Sequence, residues 1–486
     1  GLARQDAQFE SDMTYDYTLK PDGQIDGTIK GEIRLSAVDI ATEEGAGATL
    51  PDARITLDLV QGINPDGTHK MTGDLDVESG AVGVTGPAGE KIDLENFKFH
   101  IASLDFTRYG DPAGSEQPEA AADAVAQDAT TGAGEPRTVL ALLLQQVEAI
   151  AQPALRDRME IDASPSISAS AGHFALPGAE DGPDQAIRFT NFAAEAPGVD
   201  SQSADDGGWS VTSAFDAVLE SAWAGPAGQE DSSGIFASGG KLTAGKIVAE
   251  TGAEGSSISF DVDSGLDEVA MKDPAGMNLT LGGISAGTPG MSVAGDGTGQ
   301  GHIRGPVKLG VDSLQSSLPS EAGDMTLGAT AFHFGSEDFD IVGDDGLSLN
   351  LSGTLGLTDL QMEKTGEAPL ALGLDQIDVG LGPLTIDPLG PGAAIAGPLE
   401  TTLTNLQLAS GPADQAQEVS VAGTKIGLDN VALATAEPLT LELSGGLQLQ
   451  DTRAKLPGAD GGFQEVSVAA TDIGLDKVGL STAEPL

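Results

Sequence analysis

Residues 327–353 and 419–445 align without a gap at an offset of 92. The first stretch reads LGATAFHFGSEDFDIVGDDGLSLNLSG and the second VSVAGTKIGLDNVALATAEPLTLELSG. Apolar falls on apolar at Phe334/Ile426, Phe339/Val431, Ile341/Leu433, Leu347/Leu439, Leu349/Leu441 and Leu351/Leu443. EVSVA at 418–422 returns at 465–469, an offset of 47 and about half of 92. A Gly-Leu-Asp motif recurs as GLDEVAM (265–271), GLDQIDV (373–379), GLDNVAL (427–433) and GLDKVGL (474–480). The unit is therefore roughly 46 residues, with insertions and deletions, and self-similarity at such a period marks a stacked array. A unit of this kind leans on its neighbours because it cannot bury its apolar face alone.

Inside the unit the period is two. In PLTLELSGGLQLQ (438–450), Leu439, Leu441, Leu443, Leu447 and Leu449 fall on one side. Thr440, Glu442, Ser444, Gln448 and Gln450 fall on the other. This is a strand pattern with one buried face. With the preceding stretch, the expected apolar face comprises Val419, Val421, Ile426, Leu428, Val431, Leu433, Leu439, Leu441, Leu443, Leu447 and Leu449. The Gly-Leu-Asp motif reads as the corner of the unit: Gly permits a bend or bulge, Leu faces inward and Asp bonds nearby backbone beside a turn. The unit then runs strand, Gly-Leu-Asp strand, EPL turn, LTLEL strand, LQLQ strand.

The rest of the chain supplies more strands and one exception. Residues 1–109 form an N-terminal β region: MTYDYTL and ARITLDLV are each followed by a Pro-Asp-Gly turn and another alternating run, the pattern of antiparallel hairpins. Residues 110–136 are an acidic Ala/Gly/Pro linker. Residues 137–161 carry Leu140, Leu143, Leu144, Val147 and Ile150 at three- and four-residue spacing between Pro136 and Pro153. That spacing predicts an amphipathic helix capping one end of a β core. Residues 162–245 return to strands and carry Trp209 and Trp223 as core or rim residues. Residues 246–486 are the repeat region, which breaks off inside a unit: STAEPL (481–486) matches ATAEPL (434–439), where the earlier copy continues TLELSGG. The chain reads as a segment of something longer.

Composition sets the limits on function. The net charge of −52, from 75 acidic and 23 basic residues, repels nucleic-acid phosphates and anionic lipid heads. Such a charge suits a saline setting, where salt screens self-repulsion. With no Cys there are no disulfides or thiolate metal sites. The longest clean apolar run, VLALLL (139–144), falls far short of the roughly 20 residues that span a bilayer. Aromatic residues are 4% and Gly numbers 67, which points to a thin aliphatic core and many Gly-rich turns.

No catalytic constellation emerges. GISAG (283–287) fits the Gly-x-Ser-x-Gly pattern around Ser285, but a Thr-Pro-Gly turn follows where a nucleophile elbow needs a helix. GDGTGQG (295–301) lacks the Lys-Ser/Thr of a phosphate loop. His69, His100, His173, His302 and His333 share no ligand-like spacing. Asp261, Asp263, Asp267, Asp344 and Asp345 are candidate weak Ca²⁺ ligands without EF-hand spacing, and read better as solvated acids in turns. NLT (278–280) and NLS (350–352) match the glycosylation pattern inside alternating strands and are taken as chance.

Runs such as LSLNLSGTLGLTDLQM and LTLELSGGLQLQD resemble the AsmA/TamB-type bacterial envelope proteins. The likeness covers 246–486 and, loosely, 13–108. It implies repeated alternating strands curled into an elongated groove that carries lipid across the periplasm, and it transfers no site residue. The chain departs from that family in its acidity and in having no N-terminal membrane anchor in this segment. The expected fold is thus all-β, an elongated repeat array with one amphipathic helix, built as a curled sheet groove, a solenoid or tandem sandwiches. The expected function is a non-enzymatic scaffold of the bacterial periplasm or cell surface, with lipid or neighbouring protein subunits as partners. The alternative is an extracellular structural protein, an adhesin or filament subunit made of tandem β-domains.

Overall fold

A computed structural model describes residues 3–4, 8–41, 46–109, 159–178, 183–203, 208–229, 232–252, 255–295, 301–320, 323–343, 347–387, 394–412, 416–434, 440–457 and 462–481. Every regular element in them is a strand. In chain order these are β1 (Ala3–Arg4), β2 (Gln8–Leu19), β3 (Ile25–Ala41), β4 (Gly47–Ile63), β5 (His69–Thr85), β6 (Lys91–Arg108), β7 (Met159–Leu176), β8 (Gln185–Glu195), β9 (Val199–Ser203), β10 (Trp209–Pro226) and β11 (Gly234–Gly252). The second half holds β12 (Gly255–Lys272), β13 (Asn278–Gly295), β14 (Gly301–Leu318), β15 (Met325–Ala329), β16 (Ala331–Gly343), β17 (Leu347–Lys364), β18 (Leu370–Asp387), β19 (Ala394–Ser410), β20 (Gln417–Ala434), β21 (Thr440–Pro457) and β22 (Phe463–Ser481).

All 22 strands lie in one sheet. Successive positions pair antiparallel in chain order, so the sheet is a continuous meander. Three positions are shared by two strands: β1 and β2 on β3, β8 and β9 between β7 and β10, and β15 and β16 between β14 and β17. At about 4.8 Å per strand, nineteen positions make a sheet of about 86 Å, and eighteen-residue strands make it about 60 Å along their own direction. Arg108 of β6 pairs with Met159 of β7, so the sheet continues across the sequence linker.

The predicted helix at 137–161 lies outside the described residues up to 158, and its last three residues are extended at the start of β7. No helix occurs among the described residues. The one-sheet meander also replaces the solenoid and tandem-sandwich alternatives. The repeat is simpler than expected. EVSVA and GLDNVAL belong to one strand, β20, and LTLEL and LQLQ belong to one strand, β21. The starts of β18, β20 and β22 lie 47 and 46 residues apart, so the unit is one hairpin of two long strands.

Gly-Leu-Asp is therefore not a corner beside a turn. It lies mid-strand, where two lines of irregularity cross the sheet. Along the first line one strand carries an extra residue against the next: Asp429 of β20 lies between Leu428, opposite Gly445, and Asn430, opposite Ser444, and in β22 two residues between Leu475 and Val478 stand against Ser444 alone. Equivalent bulges recur at Ala244/Lys246, Phe260/Val262, Ser336/Asp338 and Leu351/Gly353. Along the second line, alternate strands turn left-handed at Asn96, Asn191, Gly239, Gly283, Asp359, Asn405 and Asp451. Asn and Asp tolerate this conformation because a short polar side chain bonds locally. Asn405 donates to Asp375 Oδ2 at 2.6 Å and Thr330 donates to Asp359 Oδ2 at 2.8 Å. The motif copies at 427 and 474 serve the first line, and those at 265 and 373 serve the second.

The motif's glycine is not the one that sterics demand. A Cβ on Gly427 or Gly474 meets nothing within 4 Å. Gly445, across the first line, has φ +157° and a Cβ there would stand 2.0 Å from the Gly427 carbonyl oxygen. Gly445→Ala should therefore cost about 1–3 kcal/mol through overpacking and lower the melting temperature, whereas Gly427→Ala leaves it nearly unchanged. Thermal denaturation of the two variants decides this, and equal melting shifts would refute the steric assignment.

Candidate functional site: the apolar face

Residues paired in register share a face, so a face can be followed strand by strand across the sheet. One row runs Leu480, Leu441, Leu433, Ile395, Ile386, Leu349, Ile341, Ile303, Val293, Ile258, Ala249, Val211, Ser201, Ile161, Phe106, Met71, Gln61, Gly27, Tyr17. A second row, on the far side of the bulge line, runs from Ile473 through Leu447, Ile426, Val379, Leu355, Phe334 and Leu309 to Phe99, Val77, Ile55 and Ile33. A third row, beyond the left-handed line, links Val466, Val419, Leu408, Leu372, Met362 and Leu327 with Met271, Ile235, Ile187, Phe174, Ile92 and Val84. Each irregularity adds a residue where strict alternation would otherwise put the next apolar side chain on the wrong face.

The other face is polar. Its middle row includes Asp472, Gln448, Lys425, Thr402, Asp378, His333, Ser285, Lys241, Lys98, Glu78, Arg54, Arg34 and Glu10. Ion pairs here are exposed: Lys30–Asp58 at 2.8 Å, Lys70–Asp105 at 2.9 Å, Lys425–Glu400 at 2.9 Å and Lys98–Glu78 at 3.2 Å. Hydrogen bonds from Arg54 and Lys98 hold the Glu78 carboxyl below its ordinary range. A satellite cluster also lies on this side, where Trp223 packs on Phe236 and donates Nε1–H to the Ser233 carbonyl at 3.1 Å.

Among the described residues no second sheet lies on either face. Buried residues nevertheless concentrate on the apolar one. Ala163, Ala244, Met291 and Ser336 flank the bulge line, and Ala53, Ser79, Ala169, Ala329, Leu374 and Val421 flank the left-handed line. Trp209, also on this face, donates Nε1–H to Ser201 at 2.9 Å. Larger side chains away from the lines stay open to solvent, Ile235 at 50%, Leu309 at 44% and Ile187 at 42%.

The register puts Val419, Val421, Ile426, Leu428, Val431, Leu433, Leu441, Leu443, Leu447 and Leu449 together on the apolar face, while Leu439 lies outside the described residues. The calcium candidates do not converge. Asp261 and Asp263 lie in strand β12 rather than in a turn, Asp261 accepts from the Gly290 amide, and Asp267 faces Gly239 across the left-handed line. Asp344 and Asp345 lie outside the described residues. No group of three metal-ligating side chains occurs among the described residues. Ser285 sits inside strand β13, not at an elbow. What sequence reasoning missed is the reach of the apolar face: its rows continue through residues 8–245, where the signal was the same alternation without the motif.

Comparison with known protein families, with characterised proteins and with solved structures finds no match for this chain.

Two outcomes follow from the charge distribution. Raising NaCl from 0.05 to 0.5 M should raise the melting temperature, because screening relaxes repulsion across the acidic face; a flat or falling trend would show that this repulsion is not felt. For Glu78, a lowered folded-state pKa means that its contribution is present above the ordinary carboxylate range and is lost as pH falls through the folded value. Glu78→Gln should therefore lower the melting temperature slightly at pH 7 and by progressively less as the pH falls below the ordinary carboxylate range, as a series of thermal scans at acid pH would show.

Proposed function

We propose that the sheet is an open trough that carries the acyl chains of lipid along its length, in a non-enzymatic protein of a bacterial periplasm or cell surface. The supporting observation is the set of three apolar rows that run from β3 to β22 with no charged side chain in them and, among the described residues, no protein layer over them. Ala, Ser and Met beside the two irregular lines are buried with no covering layer among the described residues. A strand that bends toward its apolar side at each line accounts for this, since the inside of a bend is the crowded side. Two such bend lines across the sheet give a floor and two walls. An apolar wall some 86 Å long left in water is unfavourable, and each methylene placed against it gains about 0.8 kcal/mol. Lipid chains satisfy that wall at any position, because the rows repeat without a specific pocket. The AsmA/TamB likeness of the repeats supports the same reading.

A second reading has one observation of its own. Among the described residues β22 (Phe463–Ser481) pairs with β21 alone, and its Val466, Ile473 and Leu480 are 54%, 47% and 51% exposed. A strand edge of this length can pair with the next strand of a longer chain or with a strand of a neighbouring filament subunit. Native mass spectrometry with organic extraction separates the two readings. Lipid bound to the purified chain, reduced several-fold by Leu355→Asp in the central row and unaffected by His333→Ala on the polar face, is the expected result. Lipid-free protein that forms fibres with rising concentration would instead establish the filament.

A further inference from the structure

We propose that one corner of the apolar face, formed by Tyr17, Gln61, His69 and Arg108, holds the phosphate of a phospholipid head while its chains lie in the trough. The proposal rests on the trough reading and adds a headgroup class to it.

The corner stands out against its surroundings. His69 is the one histidine on the apolar face, two residues before Met71 of the first row. His100, His173, His302 and His333 each adjoin a row residue and so face the other way. His69 pairs in register with Ile63 and with Arg108, which shares its face two residues beyond Phe106. A guanidinium and an imidazole are thus neighbours on a wall whose three rows hold no charged residue from β3 to β22, Arg4 of β1 opposite Ile40 being the exception in register. Both are suited to phosphate oxygens, Arg through its planar fork of donors.

Gln61 and Tyr17 complete the corner. Gln61 Nε2 donates to Tyr17 Oη at 2.6 Å, and Gln61 Oε1 lies 3.4 Å from His69 Nε2. With its oxygen accepting from Gln61, the Tyr17 hydroxyl keeps its own hydrogen for an outside acceptor. The contact spans two strand spacings, from β2 to β4, and Gly27 of β3 makes it feasible. A Cβ at Gly27 would stand 2.3 Å from the Tyr17 ring, which therefore lies across the bare backbone. A donor-rich, cation-bearing corner at the end of an apolar wall matches an amphiphile with chains on one side and phosphate on the other.

The test uses the full chain and two probes with identical chains, dioleoyl phosphatidylethanolamine and dioleoylglycerol, which differ by the phosphate head. Retention after gel filtration from mixed detergent is read by mass spectrometry. The wild type should retain the phospholipid about fivefold better, a ratio typical of one or two hydrogen bonds. Tyr17→Phe/His69→Leu should bring the two probes level, the ratio of phospholipid to diacylglycerol retained falling to about one. Gln61→Glu, which places a carboxylate beside the phosphate, should depress only the phospholipid and gives a second variant should the first fold poorly. Equal retention by the wild type, or a preference that survives both variants, overturns the corner and leaves the trough standing. Retention of neither probe overturns both.

Discussion

The structure depends on the pleat, which hands alternate side chains to opposite faces. A chain with a net charge of −52 cannot bury carboxylates, and a single sheet has no interior in which to hide them. Glu10, Glu78, Asp378 and Asp472 occupy one polar row, while Ile55, Leu355, Ile426 and Ile473 occupy the apolar row beside it. A slip of one residue anywhere would push a charged row into the apolar wall. Register is thus set by electrostatics and burial together, and the polar face holds exposed ion pairs that individually add little stability.

In the trough reading, the two irregular lines reconcile this alternation with curvature. A flat sheet of nineteen positions would leave the whole apolar face equally open. Here the small residues beside each line, Ala244 and Ala329 among them, are nearly inaccessible, while Ile187 and Ile235 away from them are not. Close backbone approach at the first line accounts for part of the glycine content. Gly31, Gly73, Gly353 and Gly445 each stand where a Cβ would lie about 2 Å from a carbonyl oxygen of the next strand. Glycine in this protein therefore serves strand interiors as well as turns.

Much of the architecture was legible in the sequence. The alternation at 13–108, the Pro-Asp-Gly turns and the Leu rows at 438–450 specify antiparallel strands, and the period near 46 identifies the repeat. The sequence did not disclose that one long strand spans what reads as two short ones. Ser444-Gly445-Gly446 looks like a turn because glycine pairs usually make turns, yet Gly445 pairs with Leu428 and Leu475 inside β21 and its neighbours. Nor could local spacing identify the Tyr17–Gln61–His69 corner. Its members are 44 and 8 residues apart and meet only through the meander's register. The Gly-Leu-Asp copies show the converse limit: one motif occupies two different places in the strand, so identity of letters is not identity of position.

The hairpin unit also fixes how such a protein can change size. Each 46-residue duplication inserts two strands, extends the sheet by about 10 Å, and restores both strand direction and the choice of face. The inserted pair brings its own bulge and left-handed residue, so the two lines continue unbroken across the new strands. Length is then a counted quantity, tuned in steps by tandem duplication, and a gap between two fixed points can be matched without redesigning any surface in between.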